Sequence, residues 1–279
     1  MNWRNESGAA VLVKSIRILP APRIAVDVAG AGPLLLFLHG VGGNRTNWQA
    51  QLPVFGQRFT AVAWDARGYG DSDDNEGALD FGDFSEDIGR VMDYFTAEKV
   101  YLVGLSMGGR IALDFAGRQP ERVAGLVIAD TSVAKRGPEK LAQDQEALRL
   151  RQRPLTEEGK TPADIAPILA RRLAGPHATP EALAHIEASL AALRKESYLK
   201  TLDAVVNYEG YPDFATVTAP CLIVGGEFDP LASPDLLDAM AARMPNAQRA
   251  TVPRAGHLSN IENPEAFNEV VLAFLEGLL

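Results

Sequence analysis

The sequence predicts an α/β fold: a mostly parallel central sheet with helices on both faces, interrupted by a helical lid insertion. Three observations carry this expectation. Short, almost wholly apolar runs at residues 34–38, 59–64, 100–104, 123–129 and 221–224 lack a polar face, as strands do when helix layers cover both their sides. Segments with apolar residues at helical spacing separate the early runs, as the crossovers of a parallel sheet require. Between residues 133 and 210 the alternation stops and only helical segments follow one another. The expected organisation is a first part of the core over residues 1–132, a lid over 133–210 and a second part of the core over 211–279.

Taken in order, residues 1–13 read as poorly tied down. Residues 14–19 and 23–29 alternate apolar with other residues, and Pro20-Ala21-Pro22 breaks them. They are expected as an antiparallel pair at a sheet edge, where proline is tolerated. The strand at 34–38 ends in His39-Gly40-Val41-Gly42-Gly43. These glycines do not fit GxGxxG, no Lys-Ser/Thr follows, and no acidic ribose partner is evident. The loop is read instead as one that lets backbone N–H groups approach a reacting oxygen. Trp48 and Leu52 are expected to begin an amphipathic helix ending near Gly56. The strand at 59–64 leads into a shaped loop, residues 65–72, in which Asp65 and Arg67 read as a bracing pair rather than as catalytic groups. A helix over 83–96 buries Phe84, Ile88, Val91, Met92 and Phe95.

Residues 100–109, VYLVGLSMGG, switch from strand to helix at Ser106, with Gly104 and Gly108 flanking it. That is the pattern of a nucleophile elbow, and equally of an N-cap serine after a buried strand. The helix continues over 108–117, and 123–129 is the next strand. Lid helices are expected over 139–151, 162–173, 180–195 and 198–207, punctuated by Pro154, Gly159, Pro167, Gly175 and Pro176. The lid holds 12 Lys/Arg against 11 Asp/Glu, so the excess negative charge lies on the rest of the chain. Solvated arginines on helix faces account for this; a lid suited to a carboxylate-bearing substrate is the alternative. His177 and His185 have no second ligand at metal spacing and read as surface residues. A strand at 221–224 ends in Gly225-Gly226-Glu227-Phe228-Asp229-Pro230, followed by a helix over 236–244. A last strand at 248–252 precedes Arg254-Ala255-Gly256-His257, and Asn263-Pro264 caps the final helix.

Composition excludes several function classes. A net charge of −9 argues against a nucleic-acid or anionic-membrane surface. No apolar run approaches the roughly 18 residues of a membrane span, and the stretch 9–13 is too short for a secretory signal. The single cysteine, Cys221, forms no internal disulfide and reads as a buried strand residue. The expectation is a cytoplasmic protein.

A serine hydroxyl needs a base, commonly histidine, oriented by a buried carboxylate. His257 is the histidine at a strand's carboxyl end after the serine, and Asp229 stands after the preceding strand. The chain order Ser106, Asp229, His257 is that of the elbow-type hydrolases. The segments LHGVGG, DARGYGDSD, GLSMGG, GGEFDP and AGHLSNIENPEAF resemble those of α/β-hydrolase-fold enzymes along nearly the whole chain. The ending AGHLSNIENPEAF is similar to that of 3-oxoadipate enol-lactonases. The resemblance implies catalytic Ser106, Asp229 and His257, with Asp130 as a competing position for the acid. It implies an oxyanion hole from the backbone N–H groups of Val41 and Met107, and no metal or organic cofactor. The implied function is hydrolysis of a small-molecule carboxylic ester or lactone. Carbon–carbon bond hydrolysis, cofactor-free perhydrolysis and a weakly catalytic binding protein on the same scaffold stand as alternatives.

Overall fold

A computed structural model of the chain describes residues 11–133 and 137–279. The loosely held N-terminus expected from the sequence falls mainly on residues 1–10, outside the described residues, as do residues 134–136 at the start of the expected lid.

The strands are β1 (Val13–Ile18), β2 (Ile24–Ala29), β3 (Leu34–Leu38), β4 (Thr60–Trp64), β5 (Val100–Leu105), β6 (Val123–Ala129), β7 (Cys221–Gly226) and β8 (Ala247–Val252). They form one eight-stranded sheet in the order β1-β2-β4-β3-β5-β6-β7-β8. β2 is antiparallel to both β1 and β4, and every other pairing is parallel. β3, β5 and β7 are buried throughout, because helices cover both sheet faces. Only the edge strands β1 and β8 expose most of their residues at least in part.

The helices are α1 (Leu52–Phe55), α2 (Gly82–Tyr94), α3 (Met107–Arg118), α4 (Pro138–Thr156), α5 (Pro162–Leu173), α6 (Pro180–Ala191), α7 (Lys195–Asn207), α8 (Pro234–Ala241), α9 (Ser259–Glu262) and α10 (Pro264–Glu276). Successive strand residues face opposite ways, so the sheet divides its apolar side chains between two cores. Leu36, Val62, Leu102, Ile128 and Ile223 meet Phe84 and Ile88 of α2, Ile111 and Phe115 of α3, and Leu237 of α8. Leu35, Phe37, Val103, Val127 and Val224 meet Phe55 of α1 and Phe267, Val271 and Phe274 of α10.

The strand order reverses at β3, whose neighbours are β4 on one side and β5 on the other. A crevice opens beyond the carboxyl ends of the strands at such a switch point. The loops after β3 and β5 meet there, and α4 to α7, inserted between β6 and β7, stand above it. Leu148, Leu155, Ile165, Tyr198 and Leu202 form one small core of the insertion, against which Val41 packs. Ala166, Ala170, Ile186 and Leu190 form a second, against which Leu258 and Ile261 pack.

Several local expectations need correction. Trp48 does not begin an amphipathic helix. It ends a 3-10 turn, Arg45–Trp48, capped by the Asn44 side chain, and α1 is a single separate turn. The Trp48 ring packs on Phe37 at 4.9 Å and decides the local path. Pro154 does not lie beyond its helix but inside α4, which runs on to Thr156; Pro167 lies inside α5, whose bounds are the expected 162–173. Each removes one hydrogen bond, and burial of Leu155, Ile165 and Ala166 holds the turns around them. α6 stops at Ala191, short of 195, and α8 begins two residues before the expected 236. His185 is half-buried, with Gln49 Nε2 3.5 Å from its Nδ1, whereas His177 is exposed. Cys221 is buried, which pushes its thiol up to about 12. Among the described residues no helix is long and apolar enough to cross a membrane, and no cluster of three or more His, Cys, Asp or Glu could hold a metal ion.

Candidate active site

The turn between β5 and α3 sets the site. An ideal Cβ on Gly104 would lie 2.2 Å from the Gly108 carbonyl oxygen, and one on Gly108 would lie 2.0 Å from that of Leu38. Only glycine lets β5, α3 and β3 approach so closely. The unusual backbone angle falls on the serine itself rather than on these glycines: Ser106 has φ +55° and ψ −112°. Such a conformation is strained for a residue with a side chain and persists where the surroundings impose it. Ser106 precedes α3, yet its side chain makes no capping hydrogen bond. The helix-cap reading of this serine therefore fails.

The Ser106 hydroxyl instead lies 3.0 Å from His257 Nε2. His257 Nδ1 is 3.0 Å from both carboxylate oxygens of Asp229. Asp229 Oδ1 also accepts the N–H groups of Leu231 at 2.7 Å and Ala232 at 3.0 Å, which fixes the carboxylate in its turn after β7. With Asp229 taking the Nδ1 proton, Nε2 is free to accept from Ser106. Burial alone would lower the basicity of His257. The Asp229 hydrogen bond and charge, with the charges of Asp130 and Glu262, outweigh it and raise the imidazole above its ordinary value.

Asp130, the competing acid, makes no hydrogen bond to His257. It accepts from Gly226 N–H at 2.7 Å and from the Ser259 hydroxyl at 2.5 Å. Complete burial, and then the charge of Asp229, push its carboxyl well above the usual range.

The glycine loop after β3 is held from below by its own histidine. His39 Nδ1 is 2.8 Å from the Gly40 carbonyl, to which it donates, and Nε2 accepts the Ala66 N–H at 3.0 Å. Burial keeps this ring neutral by lowering its pKa. The Met107 N–H, first in α3, has no carbonyl of its own helix to bond. The Val41 N–H has no hydrogen-bond partner among the described residues. A cavity of about 20 Å³, room for one water-sized group, lies beside this loop between Trp48, Leu105, Leu190 and Leu258.

Asp65 and Arg67 both brace loops, but not each other. Asp65 accepts the Arg45 and Asp71 N–H groups and pairs with the Arg45 guanidinium. Arg67 forks onto Asp87 of α2 at 2.7 and 2.9 Å, with Asp83 at 3.3 Å. Sequence reasoning missed Glu262, whose carboxylate accepts N–H groups on both sides of His257. No local pattern in AGHLSNIE marks it, because its donors include Gly175, 87 positions away.

The model of the family described as alpha/beta hydrolase fold matches residues 33–264. The chain belongs to the α/β-hydrolase fold family. It is a hydrolase by family, and its relatives with a named activity include a lactonase and a succinate hydrolase. It is similar to 3-oxoadipate enol-lactonase 2 of Acinetobacter baylyi, 27% identical over 265 residues, covering 92% of this chain and 96% of that one. It is also similar to 2-hydroxy-6-oxononadienedioate/2-hydroxy-6-oxononatrienedioate hydrolase of Cupriavidus pinatubonensis, 29% identical over 273 residues, covering 91% and 90%. Among solved structures, a thermophilic esterase from Thermogutta terrifontis, with malate bound, matches at TM-score 0.83 and 26% identity, covering 95% of this chain and 99% of that one.

Proposed function

We propose that this α/β hydrolase cleaves a carboxylic ester or lactone of a small molecule through an acyl-enzyme on Ser106. The observation that carries the reading is the unbroken relay Asp229–His257–Ser106, with 3.0 Å at each of its links. Ser106 attacks the carbonyl carbon as His257 Nε2 takes the hydroxyl proton. The carbonyl oxygen becomes an oxyanion, which the Val41 and Met107 N–H groups stabilise at the positive end of α3. The tetrahedral adduct collapses, and His257 delivers the proton to the leaving alcohol. Water, deprotonated by His257, then attacks the acyl carbon, and Ser106 leaves with the proton returned. Asp229 holds the imidazole tautomer and stabilises the charged ring.

In this reading α4 to α7 form the lid that selects the substrate. A carboxylate-bearing substrate is supported by the names of the relatives, an oxoadipate enol-lactonase and a dioate hydrolase. Carbon–carbon bond hydrolysis is the second reading, favoured by the Cupriavidus relative. A panel of short acyl esters, lactones with and without a carboxylate, and ring-cleavage-type diketones separates them. Turnover of esters or lactones, lost in Ser106→Ala along with fluorophosphonate labelling, is the expected result. Turnover of the diketones alone would support the second reading, and no labelling at Ser106 would overturn the serine mechanism.

A further inference from the structure

The backbone around His257 is unusual in what holds it. Three consecutive N–H groups donate outside their own loop strand. Gly256 N–H bonds Glu262 Oε2 at 2.9 Å, His257 N–H bonds the Leu173 carbonyl at 2.9 Å, and Leu258 N–H bonds Glu262 Oε1 at 3.2 Å. Leu173 is the last residue of α5, in the inserted helices. The same Glu262 Oε2 also accepts the N–H of Gly175, two residues further along the insertion, at 2.7 Å. The two backbones are pressed together at this point: an ideal Cβ on Gly256 would lie 2.2 Å from the Gly175 nitrogen. Glu262 is nearly buried, at 8% exposure, so these three N–H groups rather than water solvate it there.

We propose that Glu262 is a positioning residue that clasps the α5–α6 corner of the insertion to the loop of the catalytic histidine. This rests on the reading of His257 as the base at Ser106. A carboxylate can accept from all three donors at once, because both its oxygens are acceptors. With it in place, the corner and His257 move as one body. With it gone, the Gly175, Gly256 and Leu258 N–H groups lose their acceptor together, and the histidine loop keeps the Leu173 carbonyl and the apolar packing of Leu258 as its ties to the insertion. Seating of the insertion over substrate and alignment of the base are thus one event. Glu262 also contributes charge. The groups facing His257 are Asp229 from the turn after β7, Asp130 from the end of β6 and Glu262 from its own side, all favouring the protonated ring.

Two variants test this, with p-nitrophenyl acetate and a fluorophosphonate probe. Wild-type protein must first turn over the ester and lose that activity in Ser106→Ala; failure there overturns the serine-hydrolase reading whatever Glu262 does. Glu262→Ala, which removes the acceptor of all three N–H groups, is expected to lower kcat by about 10²-fold, the cost of misplacing a reacting group by about 1 Å, with KM changed by under about threefold. Glu262→Gln keeps one oxygen for the two glycine N–H groups but turns an amide N–H₂ toward Leu258 N–H. It should lose less in kcat and move the acid limb of the kcat/KM profile to lower pH, since one negative charge facing the imidazole is gone. Amide exchange in Glu262→Ala should quicken together at residues 174–178 and 255–258, with β5 and β6 unchanged. Unaltered kcat and pH profile overturn the proposal, as does quickened exchange on one side alone. If Glu262→Ala does not fold, the acid limb of Glu262→Gln decides.

Discussion

Replacing Asp229 with asparagine tests the relay at the point where the hydrogen-bond geometry makes the sharpest demand. Asp229 Oδ1 accepts two backbone N–H groups, from Leu231 and Ala232, while Oδ2 faces only His257 Nδ1 at 3.0 Å. The asparagine oxygen therefore takes the Oδ1 place, where it keeps both backbone bonds and the fold. The amide N–H₂ then lies opposite His257 Nδ1 at the Oδ2 place and favours the tautomer in which Nδ1 accepts, in competition with the asparagine oxygen, which stays 3.0 Å from the same nitrogen. In that tautomer the ring proton is on Nε2, the one nitrogen 3.0 Å from Ser106 Oγ, and the base is lost to the serine. A wrong tautomer of this kind costs about 10⁴-fold in kcat, roughly 5.5 kcal/mol of barrier at 1.36 kcal/mol per decade. The assay is steady-state hydrolysis of p-nitrophenyl acetate, with fluorophosphonate labelling as a check on Ser106 itself. Asp130→Asn serves as the control, since Asp130 bonds Gly226 and Ser259 rather than the histidine, and should lose under about tenfold. A loss below tenfold in Asp229→Asn, or the larger loss in Asp130→Asn, would refute the assignment.

Other outcomes follow from the same contacts. Activity of the wild-type protein should vanish as pH falls through the raised pKa of His257, because the protonated ring cannot take the serine proton; a pH–rate profile whose acid limb lies below the ordinary imidazole value would contradict the net effect of Asp229. Asp130 keeps its proton in the native state to a higher pH than in the unfolded chain, so its contribution to stability is full below the ordinary carboxylate range and is lost as pH rises through its raised value. Urea midpoints of Asp130→Asn should lack that decline. Arg45 meets Asp27, Asp65 and Asp71, and Asp65 has no exposed side-chain surface. Arg45→Ala leaves that carboxylate buried without a counter-ion, a loss of about 3 kcal/mol and of roughly 5 °C in Tm, measurable by calorimetry. Arg45→Lys should restore little of it, lacking the fork that reaches several carboxylates.

Strand identity was legible because β3 to β7 are buried on both faces and carry hardly a polar residue. The relative placement of Ser106, Asp229 and His257 was legible for the same reason: each follows its own strand, and parallel strands deliver their ends to one edge. What was not legible depends on partners remote in sequence. Asp65 and Arg67 are two residues apart and of opposite charge, which suggests a mutual pair; the chain between them turns, so that one reaches Arg45 and the other Asp87. Glu262 could not be read as a clasp, since Gly175 is 87 positions away and nothing local to either marks the other. Pro154 misled because proline's local cost is visible in sequence, whereas the tertiary packing that offsets it is not. The half-burial of His185 is of the same kind, arising from contact with Gln49 across the crevice.

The left-handed backbone at residue 106 makes serine a poor choice there on thermal grounds alone. Glycine would relieve about 1–2 kcal/mol of strain, offset in part by its greater chain entropy of roughly 0.5–1 kcal/mol. Ser106→Gly should accordingly melt no lower than wild type while abolishing turnover; a clear drop in Tm would mean that the angle is not strained. Libraries of this protein screened for heat resistance alone would then enrich variants that lack the Ser106 hydroxyl, the group on which the proposed acyl-enzyme depends.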